Sequence, residues 1–273
     1  MSDADGWARA HELDAEVRRA WEHAHKLNDD LQAHVAVMAA TTHYADSLAV
    51  WNKATPFLDD PRFMTAYRRG MNSGHRISRK EGSAADLHIE WRVHTLCWAA
   101  AHASKLTGDF VECGVNTGIY SLAICHYLDF NSLDRDFWLF DTFNGIPASQ
   151  MTDGERAVIR PDVANYFECY ELARSNFAPY RRAHLVRGTV PETLDTVTIE
   201  RVAYLSIDMN ITAPEVAALE HFWPRLVSGG VVVLDDYGWL AHTAQRVALD
   251  AVAQRVGVSI LTLPTGQGLL LKP

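Results

Sequence analysis

The sequence is poor in cysteine, and its cysteines do not form a recognisable pair. Its 273 residues contain four cysteines, at positions 97, 113, 125 and 169, with no C-x-x-C spacing among them. Two of them lie in apolar runs, where a thiol usually packs as a small hydrophobic side chain. We therefore expect reduced cysteines with a structural role.

The chain also lacks a long apolar run and an excess of positive charge. No apolar stretch approaches the ~20 residues that span a bilayer, and the N-terminal residues are rich in Asp, Glu and Arg, unlike a signal peptide. The formal net charge of −9 disfavours a nucleic-acid backbone or an anionic membrane as a partner. We expect a cytoplasmic protein that acts on a small molecule, with no nucleic-acid or membrane partner.

Two common phosphate-binding motifs are absent from the glycine turn at residues 114–118. Apolar strand residues precede this turn and an apolar helical pattern follows it. The spacing Gly114-x-x-x-Gly118 matches neither G-x-G-x-x-G nor G-x-x-x-x-G-K-[ST], and no lysine is available for a phosphate. Such a turn lies at the carboxyl end of a strand, where a ligand can approach the backbone. The turn therefore predicts a cofactor-binding site, although a tight turn without a ligand would explain the glycines too.

A carboxylate next to this turn indicates which cofactor would bind. Glu112 would repel a phosphate, but it can accept hydrogen bonds from a cationic or hydroxyl-bearing ligand. S-adenosylmethionine carries an ammonium and a sulfonium and fits this requirement. We predict that it contacts Glu112, Gly114, Asn116 and Gly118.

The rest of the chain alternates buried strands with helical patterns. The predicted strands are 109–113, 137–140, 183–187, 202–207 and 231–234, with a closing hairpin of 259–263 and 268–272. Helices are predicted at 85–105, 168–177, 214–226 and 244–256, the third of them stopped by Gly229 and Gly230. This alternation predicts a doubly wound, mostly parallel, seven-stranded Rossmann-like α/β sheet with an antiparallel edge strand.

Further polar residues end neighbouring strands at the same edge of the predicted sheet. Asp141 ends the second strand, where a carboxylate can accept both ribose hydroxyls; an Asx turn or a helix cap is the alternative. The remaining residues of the predicted cofactor site are Thr142, Phe143, Gly188 and Thr189.

Three aspartates at the ends of the fourth and fifth strands predict a metal site. The carboxylates of Asp208, Asp235 and Asp236 would converge and raise one another's pKa unless a cation lies among them. Oxygen ligands suit Mg²⁺, with Ca²⁺ or Mn²⁺ as alternatives; helix capping and pairing with an arginine would also explain the acids. A bound metal would ease deprotonation of an acceptor hydroxyl. Asp208 is our first candidate for the base, and His242 is the second, unless it is a surface histidine at a helix start.

The N-terminal part of the chain has a different pattern. Residues 3–45 lack proline, have no glycine after Gly6, and carry apolar residues at intervals of three, four and seven, which predicts one long helix. It would pack on the main domain or on a second copy of the chain, as a homodimer or higher homo-oligomer. Residues 74–82 are predicted to form a mobile basic loop, and residues 146–167 a lid. We expect a helical extension and cap at 1–84 and the cofactor-binding domain at 85–273.

Three segments resemble one known family. They are residues 110–115, residues 139–147 and residues 230–238, in matching order and spacing. The chain resembles the macrocin O-methyltransferase family, whose members use S-adenosylmethionine and Mg²⁺ to methylate hydroxyls on sugars of natural products. The resemblance implies that Glu112, Gly114 and Gly118 border the methionine part and Asp141 the ribose. It also implies that Asp208, Asp235 and Asp236 hold the metal.

These observations predict a metal-dependent O-methyltransferase of a small secondary metabolite. Two alternatives stay open from the sequence. One is a hydroxylation or cyclisation catalyst on the same cofactor-binding scaffold, and the other is a non-catalytic binding module based on the long N-terminal helix.

Overall fold

The structure of the protein is a computed structural model that describes residues 3–39, 41–77, 85–158 and 166–273. The chain divides into two compact units, Met1–Thr55 and Pro56–Pro273. The domain boundary that we expect after residue 84 stays a prediction. Within the described residues, no helix is both long and apolar enough to cross a membrane.

The first unit contains a helix and a β-hairpin. Helix α1 spans Asp3–Ala39, strand β1 spans Thr41–Ala45, and strand β2 spans Leu48–Trp51 and pairs antiparallel with β1. The prediction that one helix continues to residue 45 is therefore wrong. The β-branched and aromatic residues of β1 favour a strand, and the hairpin turns at Asp46 and Ser47, whose φ values of 52° and 59° are left-handed.

The second unit contains the remaining helices and strands. In chain order they are α2 Pro61–Met71, α3 Glu90–Ala103, β3 Asp109–Cys113, α4 Ile119–Leu128, β4 Phe137–Asp141, α5 Asp153–Val158, α6 Tyr170–Phe177, β5 Ala183–Arg187, β6 Val202–Ile207, α7 Thr212–Phe222, β7 Leu226–Leu234, α8 Thr243–Arg255, β8 Leu261–Thr262 and β9 Gly268–Leu271.

Seven of these strands form one sheet, in the order β5-β4-β3-β6-β7-β9-β8. The first five are parallel, and β9 runs antiparallel to both β7 and β8. The predicted fold class is therefore confirmed. The chain moves outward from β3 through β4 and β5 and then returns to the other side of β3 at β6. Such a reversal of strand order is where doubly wound sheets bind ligands.

Helices cover both faces of this sheet, so its central strands are buried on both sides. Phe110 and Tyr204 pack in the core on one face, and Val111 and Leu205 pack in the core on the other. The sequence of a strand that is buried on both faces is a nearly continuous run of apolar residues. These strands could therefore be predicted from the sequence.

The helix predicted at 214–226 ends earlier, and the glycines after it do not stop it. Helix α7 ends at Phe222, and a 3₁₀ turn spans Trp223–Arg225. Pro224 lacks the backbone N–H that a continuing α-helix needs at this point. Gly229 and Gly230 lie inside β7 instead. A Cβ on Gly230 would be 2.8 Å from the carbonyl oxygen of Val227, so the strand itself requires this glycine.

Two predicted loops fall partly outside the described residues. The basic segment is described only as far as Ile77, so residues 78–82 lie outside. The predicted lid contains a 3₁₀ turn at Ala148–Gln150 and helix α5, while residues 159–165 lie outside. The mobility of the first loop and the lid function of the second stay predictions.

Candidate cofactor and metal site

The carboxyl ends of four adjacent parallel strands carry the predicted site. In the order β4-β3-β6-β7, these ends carry Asp141, the glycine turn 114–118, Asp208, and the pair Asp235 and Asp236. The predicted residues therefore form a row along one edge of the sheet. Its middle lies between β3 and β6, at the reversal of strand order.

The glycine turn is shaped by contacts with the protein itself. Gly114 has φ +95°, and a Cβ there would lie 1.9 Å from the carbonyl oxygen of Asp208. Gly118 has φ +99°, and a Cβ there would lie 2.6 Å from the ring of Phe177. The sequence argument assigned these glycines to the approach of a ligand. The structure shows that backbone conformation and packing already require them.

Asp141 closes the turn next to β3. Its Oδ2 accepts hydrogen bonds from the backbone N–H groups of Val115 and Asn116, at 2.5 and 2.7 Å. Its Oδ1 accepts from the N–H of Phe143 at 2.5 Å, which is an Asx turn. Burial raises the pKa of Asp141, and the three N–H donors partly offset this increase. The structure thus shows the alternative that the sequence left open, and binding of a ribose by Asp141 stays a prediction.

The other predicted cofactor residues lie around Asp141. The N–H of Gly188 donates to the carbonyl of Asp141 at 2.9 Å, and the Thr142 hydroxyl donates to the carbonyl of Gly145 at 2.7 Å. The Thr189 carbonyl accepts from the Thr193 N–H at 3.0 Å. The Gly188–Asp141 hydrogen bond joins the ends of β4 and β5, and the cofactor roles stay predictions.

Glu112 is buried in β3, and part of its carboxyl group lacks a partner. Its side chain is 1% exposed, and its Oε2 has no hydrogen-bond partner among the described residues. Burial raises the pKa of Glu112 to about 8; the Ser121 hydroxyl lowers it, and the charges of Asp141 and Asp235 raise it further. A buried carboxyl oxygen without a donor suits a cationic group. Glu112 therefore fits the ammonium of S-adenosylmethionine as its hydrogen-bond acceptor.

The three aspartates predicted as metal ligands do come together. One carboxylate oxygen from each of Asp208, Asp235 and Asp236 lies within 4.8 Å of the others. Burial raises the pKa of Asp208 well above its ordinary value, and the charges of Asp235 and Asp236 raise it further. Three carboxylate oxygens at this spacing, with Asp235 and Asp236 buried and Asp208 half-buried, fit a hard divalent cation such as Mg²⁺.

Sequence reasoning missed the residues that hold Asp235. Its Oδ2 accepts from Arg92 Nη1 at 2.8 Å and from the Tyr120 hydroxyl at 3.2 Å, and its Oδ1 accepts from Gln267 Nε2 at 3.0 Å. The alternative of an arginine partner is therefore realised at Asp235. No local pattern points to these partners, because Arg92 and Tyr120 lie 143 and 115 residues away in the sequence.

His242 lies at the edge of the acidic cluster. Its Nε2 is 3.9 Å from Asp236 Oδ2, and its side chain is 14% exposed, so it is largely buried rather than a surface histidine. Its Nδ1 is 3.0 Å from the Gln245 side-chain oxygen. The structure thus brings the second candidate base close to the predicted metal ligands.

Glu215 is a further residue that the sequence did not single out. It is fully buried in the first turn of α7 and accepts the backbone N–H groups of Met209 and Asn210, each at 2.9 Å. Gln245 donates to its other oxygen. Burial raises the pKa of Glu215 to about 8, and the charge of Asp236 adds to this. Glu215 therefore fixes the loop that follows Asp208.

Comparisons with known proteins find similar methyltransferases. The model of the macrocin-O-methyltransferase (TylF) family matches residues 91–258, more than half of the chain. The mycinamicin III 3''-O-methyltransferase of Micromonospora griseorubida is 29% identical over 177 residues, which cover 60% of this chain and 67% of that protein. The 8-demethyl-8-(2,3-dimethoxy-alpha-L-rhamnosyl)-tetracenomycin-C 4'-O-methyltransferase of Streptomyces olivaceus is 29% identical over 172 residues, which cover 60% of this chain and 64% of that protein.

Solved structures share the fold at lower sequence identity. The O-methyltransferase NovP superposes with a TM-score of 0.62 at 21% identity, over 77% of this chain and 97% of NovP. The calicheamicin methyltransferase CalS11 superposes with a TM-score of 0.54 at 18% identity, over 78% of this chain and 93% of CalS11. These similarities support the Rossmann-like architecture.

Proposed function

Because this chain belongs to the macrocin-O-methyltransferase family, we propose that it is an S-adenosylmethionine- and Mg²⁺-dependent O-methyltransferase of a small secondary metabolite. The observation that carries the metal dependence is the convergence of Asp208, Asp235 and Asp236 within 4.8 Å. This cluster lies at the ends of β6 and β7, beside the turn after β3 that we assign to the cofactor.

The acceptor that we propose is a hydroxyl on a glycosylated natural product. The names of three relatives support this class. One names mycinamicin III, a second names a rhamnosyl group on tetracenomycin C, and a third, from Streptomyces niveus, names demethyldecarbamoylnovobiocin.

The chain's own residues would have distinct tasks in this reaction. Bound S-adenosylmethionine would supply the methyl group, and a bound divalent ion would lower the pKa of the acceptor hydroxyl. The oxygen of that hydroxyl forms the new bond to the methyl carbon while the carbon–sulfur bond breaks. Asp208, which lies in the acidic cluster, would take the hydroxyl proton.

His242 is a second proton acceptor at the same site. Its Nε2 lies 3.9 Å from Asp236, so it borders the three carboxylates without displacing any of them. Glu215 holds the backbone at 209 and 210 and so keeps Asp208 in place. Glu112 would lose its proton when the cofactor binds and would then compensate the charge of the cofactor's ammonium.

We also propose that the protein self-associates through α1. Val17, Trp21, Leu31 and Val35 are spaced at heptad-like intervals, and each side chain is more than half exposed. A second copy of the same helix would cover this apolar stripe.

The proposed activity is tested by incubating the purified protein with S-adenosylmethionine, Mg²⁺ and a panel of hydroxylated acceptors, with and without a glycosyl group. We expect products heavier by one methyl group and no product after EDTA treatment. Cofactor binding without methylation of any acceptor would support a different reaction on this scaffold, and the absence of cofactor binding would refute the proposal.

A further inference from the structure

Arg92 forms a largely buried ion pair with one of the predicted metal ligands. Its Nη1 lies 2.8 Å from Asp235 Oδ2, and the two side chains are 14% and 3% exposed. Arg92 belongs to the first turn of α3, a helix in which the sequence predicted no site residue. The arginine therefore reaches the strand-end cluster from the helical layer.

Two further contacts fix this pair in one orientation. The Arg92 guanidinium lies over the ring of Trp239, 4.8 Å from its centroid, and the Tyr120 hydroxyl donates to the same Asp235 oxygen. A cation stacked on an aromatic face and hydrogen-bonded at its edge loses most of its rotational freedom. The position of Asp235 Oδ2 is therefore set by the protein.

The hydrogen bonds that Asp235 already accepts indicate which of its oxygens is available to a metal. A carboxylate oxygen has about two lone-pair sites, and on Oδ2 these are taken by Arg92 and Tyr120. Oδ1 accepts one hydrogen bond, from Gln267. A divalent ion that shares the cluster would thus bind Asp235 through Oδ1 while Arg92 keeps Oδ2.

The charge of Arg92 also acts on the rest of the cluster. Burial and the neighbouring aspartates raise the pKa of Asp208, and the charge of Arg92 partly offsets this increase. The same charge also lowers the pKa of Tyr120. An arginine beside three carboxylates reduces their mutual repulsion when no metal is bound. It also reduces their attraction for a metal when one binds.

We propose that Arg92 is a positioning residue of the metal site. It holds Asp235 through Oδ2 and supplies a fixed positive charge. This charge stabilises the folded protein when no metal is bound, because it offsets the repulsion among the three carboxylates. It also makes the cluster bind a divalent ion less tightly than three uncompensated carboxylates would. This inference rests on the proposed function, because it assumes that the three aspartates bind a divalent ion.

The test compares the full-length protein with Arg92→Met and Arg92→Lys. The Arg187→Met variant is the matched control, because Arg187 also pairs with a carboxylate at 2.8 Å and stacks on a tyrosine ring at 4.7 Å, but outside the cluster. Two quantities are measured for each protein: the dissociation constant for Mn²⁺ by electron paramagnetic resonance, and the thermal midpoint with and without Mn²⁺.

We expect Arg92→Met to melt below the control without metal, to recover on addition of Mn²⁺, and to bind Mn²⁺ about tenfold more tightly than the parent. Arg92→Lys, which keeps the charge, should change Mn²⁺ affinity less. If Arg92→Met does not fold, Arg92→Gln carries the same expectation, because it lacks the charge but keeps a donor.

Unchanged or weaker Mn²⁺ binding in the uncharged variants would overturn the role of Arg92 while leaving the metal site intact. Failure of the parent protein to bind Mn²⁺ would refute both the metal dependence and this inference. The two failures are distinguished by the parent protein alone.

Discussion

Gly114 and the carbonyl oxygen of Asp208 are in such close contact that a Cβ on Gly114 would lie 1.9 Å from that oxygen. The backbone N–H of Asp208 in turn donates to the carbonyl of Cys113 at 2.8 Å. The turn that we assign to the cofactor and the first predicted metal ligand are therefore positioned by one backbone contact. This contact leaves no room for a side chain.

Replacing Gly114 by alanine should damage both parts of the site. We expect Gly114→Ala to lower the free energy of unfolding by about 3 kcal/mol or more, because overpacking adds to the unfavourable φ. Urea denaturation measures this loss, and Mn²⁺ binding reports the displacement of Asp208.

Gly257→Ala is the matched control for this substitution. Gly257 also has a positive φ, +75°, but a Cβ there would have no neighbour within 4 Å. It should cost only about 1 kcal/mol, from the backbone conformation alone. Equal losses in the two variants would contradict the close contact between Gly114 and Asp208.

Burial of Glu112 predicts how stability depends on pH. Its pKa is about 8 in the folded protein against an ordinary value of 4.5, so between these values the folded state holds a proton that the unfolded state has lost. The free energy of unfolding should therefore fall as the pH rises from about 5 to about 8, by up to about 1.4 kcal/mol per pH unit for this group.

Glu112→Gln should flatten this pH dependence, and urea denaturation across that range measures it. Asp208 and Glu215 also have raised pKa values, so part of the slope should remain. Glu171→Gln serves as the control, because Glu171 is an exposed partner of Arg174. A slope identical in Glu112→Gln and the parent would show that Glu112 is not a protonated buried acid.

The apolar stripe on α1 predicts self-association. Leu31→Lys should convert a dimer or larger oligomer into a monomer, because a buried lysine at the helix interface is unfavourable. Light scattering after size exclusion gives the molar mass. Leu261→Lys is the control, since both leucines are 59% exposed and Leu261 lies in β8. A monomeric parent, or an unchanged mass in Leu31→Lys, would refute this role for α1.

The central strands could be predicted because their signal is local. Strands such as Val202–Ile207, buried on both faces, are continuous apolar runs, and acids mark their carboxyl ends. Parallel pairing then brings Asp208, Asp235 and Asp236 to one edge without further information. The enzyme class expected from the sequence agrees with the family that matches residues 91–258.

Features that depend on distant contacts could not be predicted. Arg92 lies in a helix in which the sequence predicted no site residue, and nothing near it in the sequence indicates a pairing with Asp235. Gln245 donates a hydrogen bond to Glu215, although the two residues are 30 positions apart in the sequence. The hairpin after α1 was missed because the helical pattern of residues 3–39 was extended across a short segment rich in threonine.

The cytoplasmic location, the binding of a metal and the identity of that metal stay predictions. So do the cofactor roles of Asn116, Thr142, Phe143, Gly188 and Thr189. Their positions near the ends of β3, β4 and β5 are compatible with such roles.

Asp235→Asn tests the central claim most directly, because asparagine keeps the shape of the side chain and removes its charge. We measure methyl transfer as a function of Mg²⁺ concentration, together with the affinity for S-adenosylmethionine by calorimetry. We predict that metal-dependent turnover falls by about 100-fold or more, while cofactor affinity changes by less than about threefold. Equal turnover in variant and parent would contradict the claim that these carboxylates hold the metal for methyl transfer.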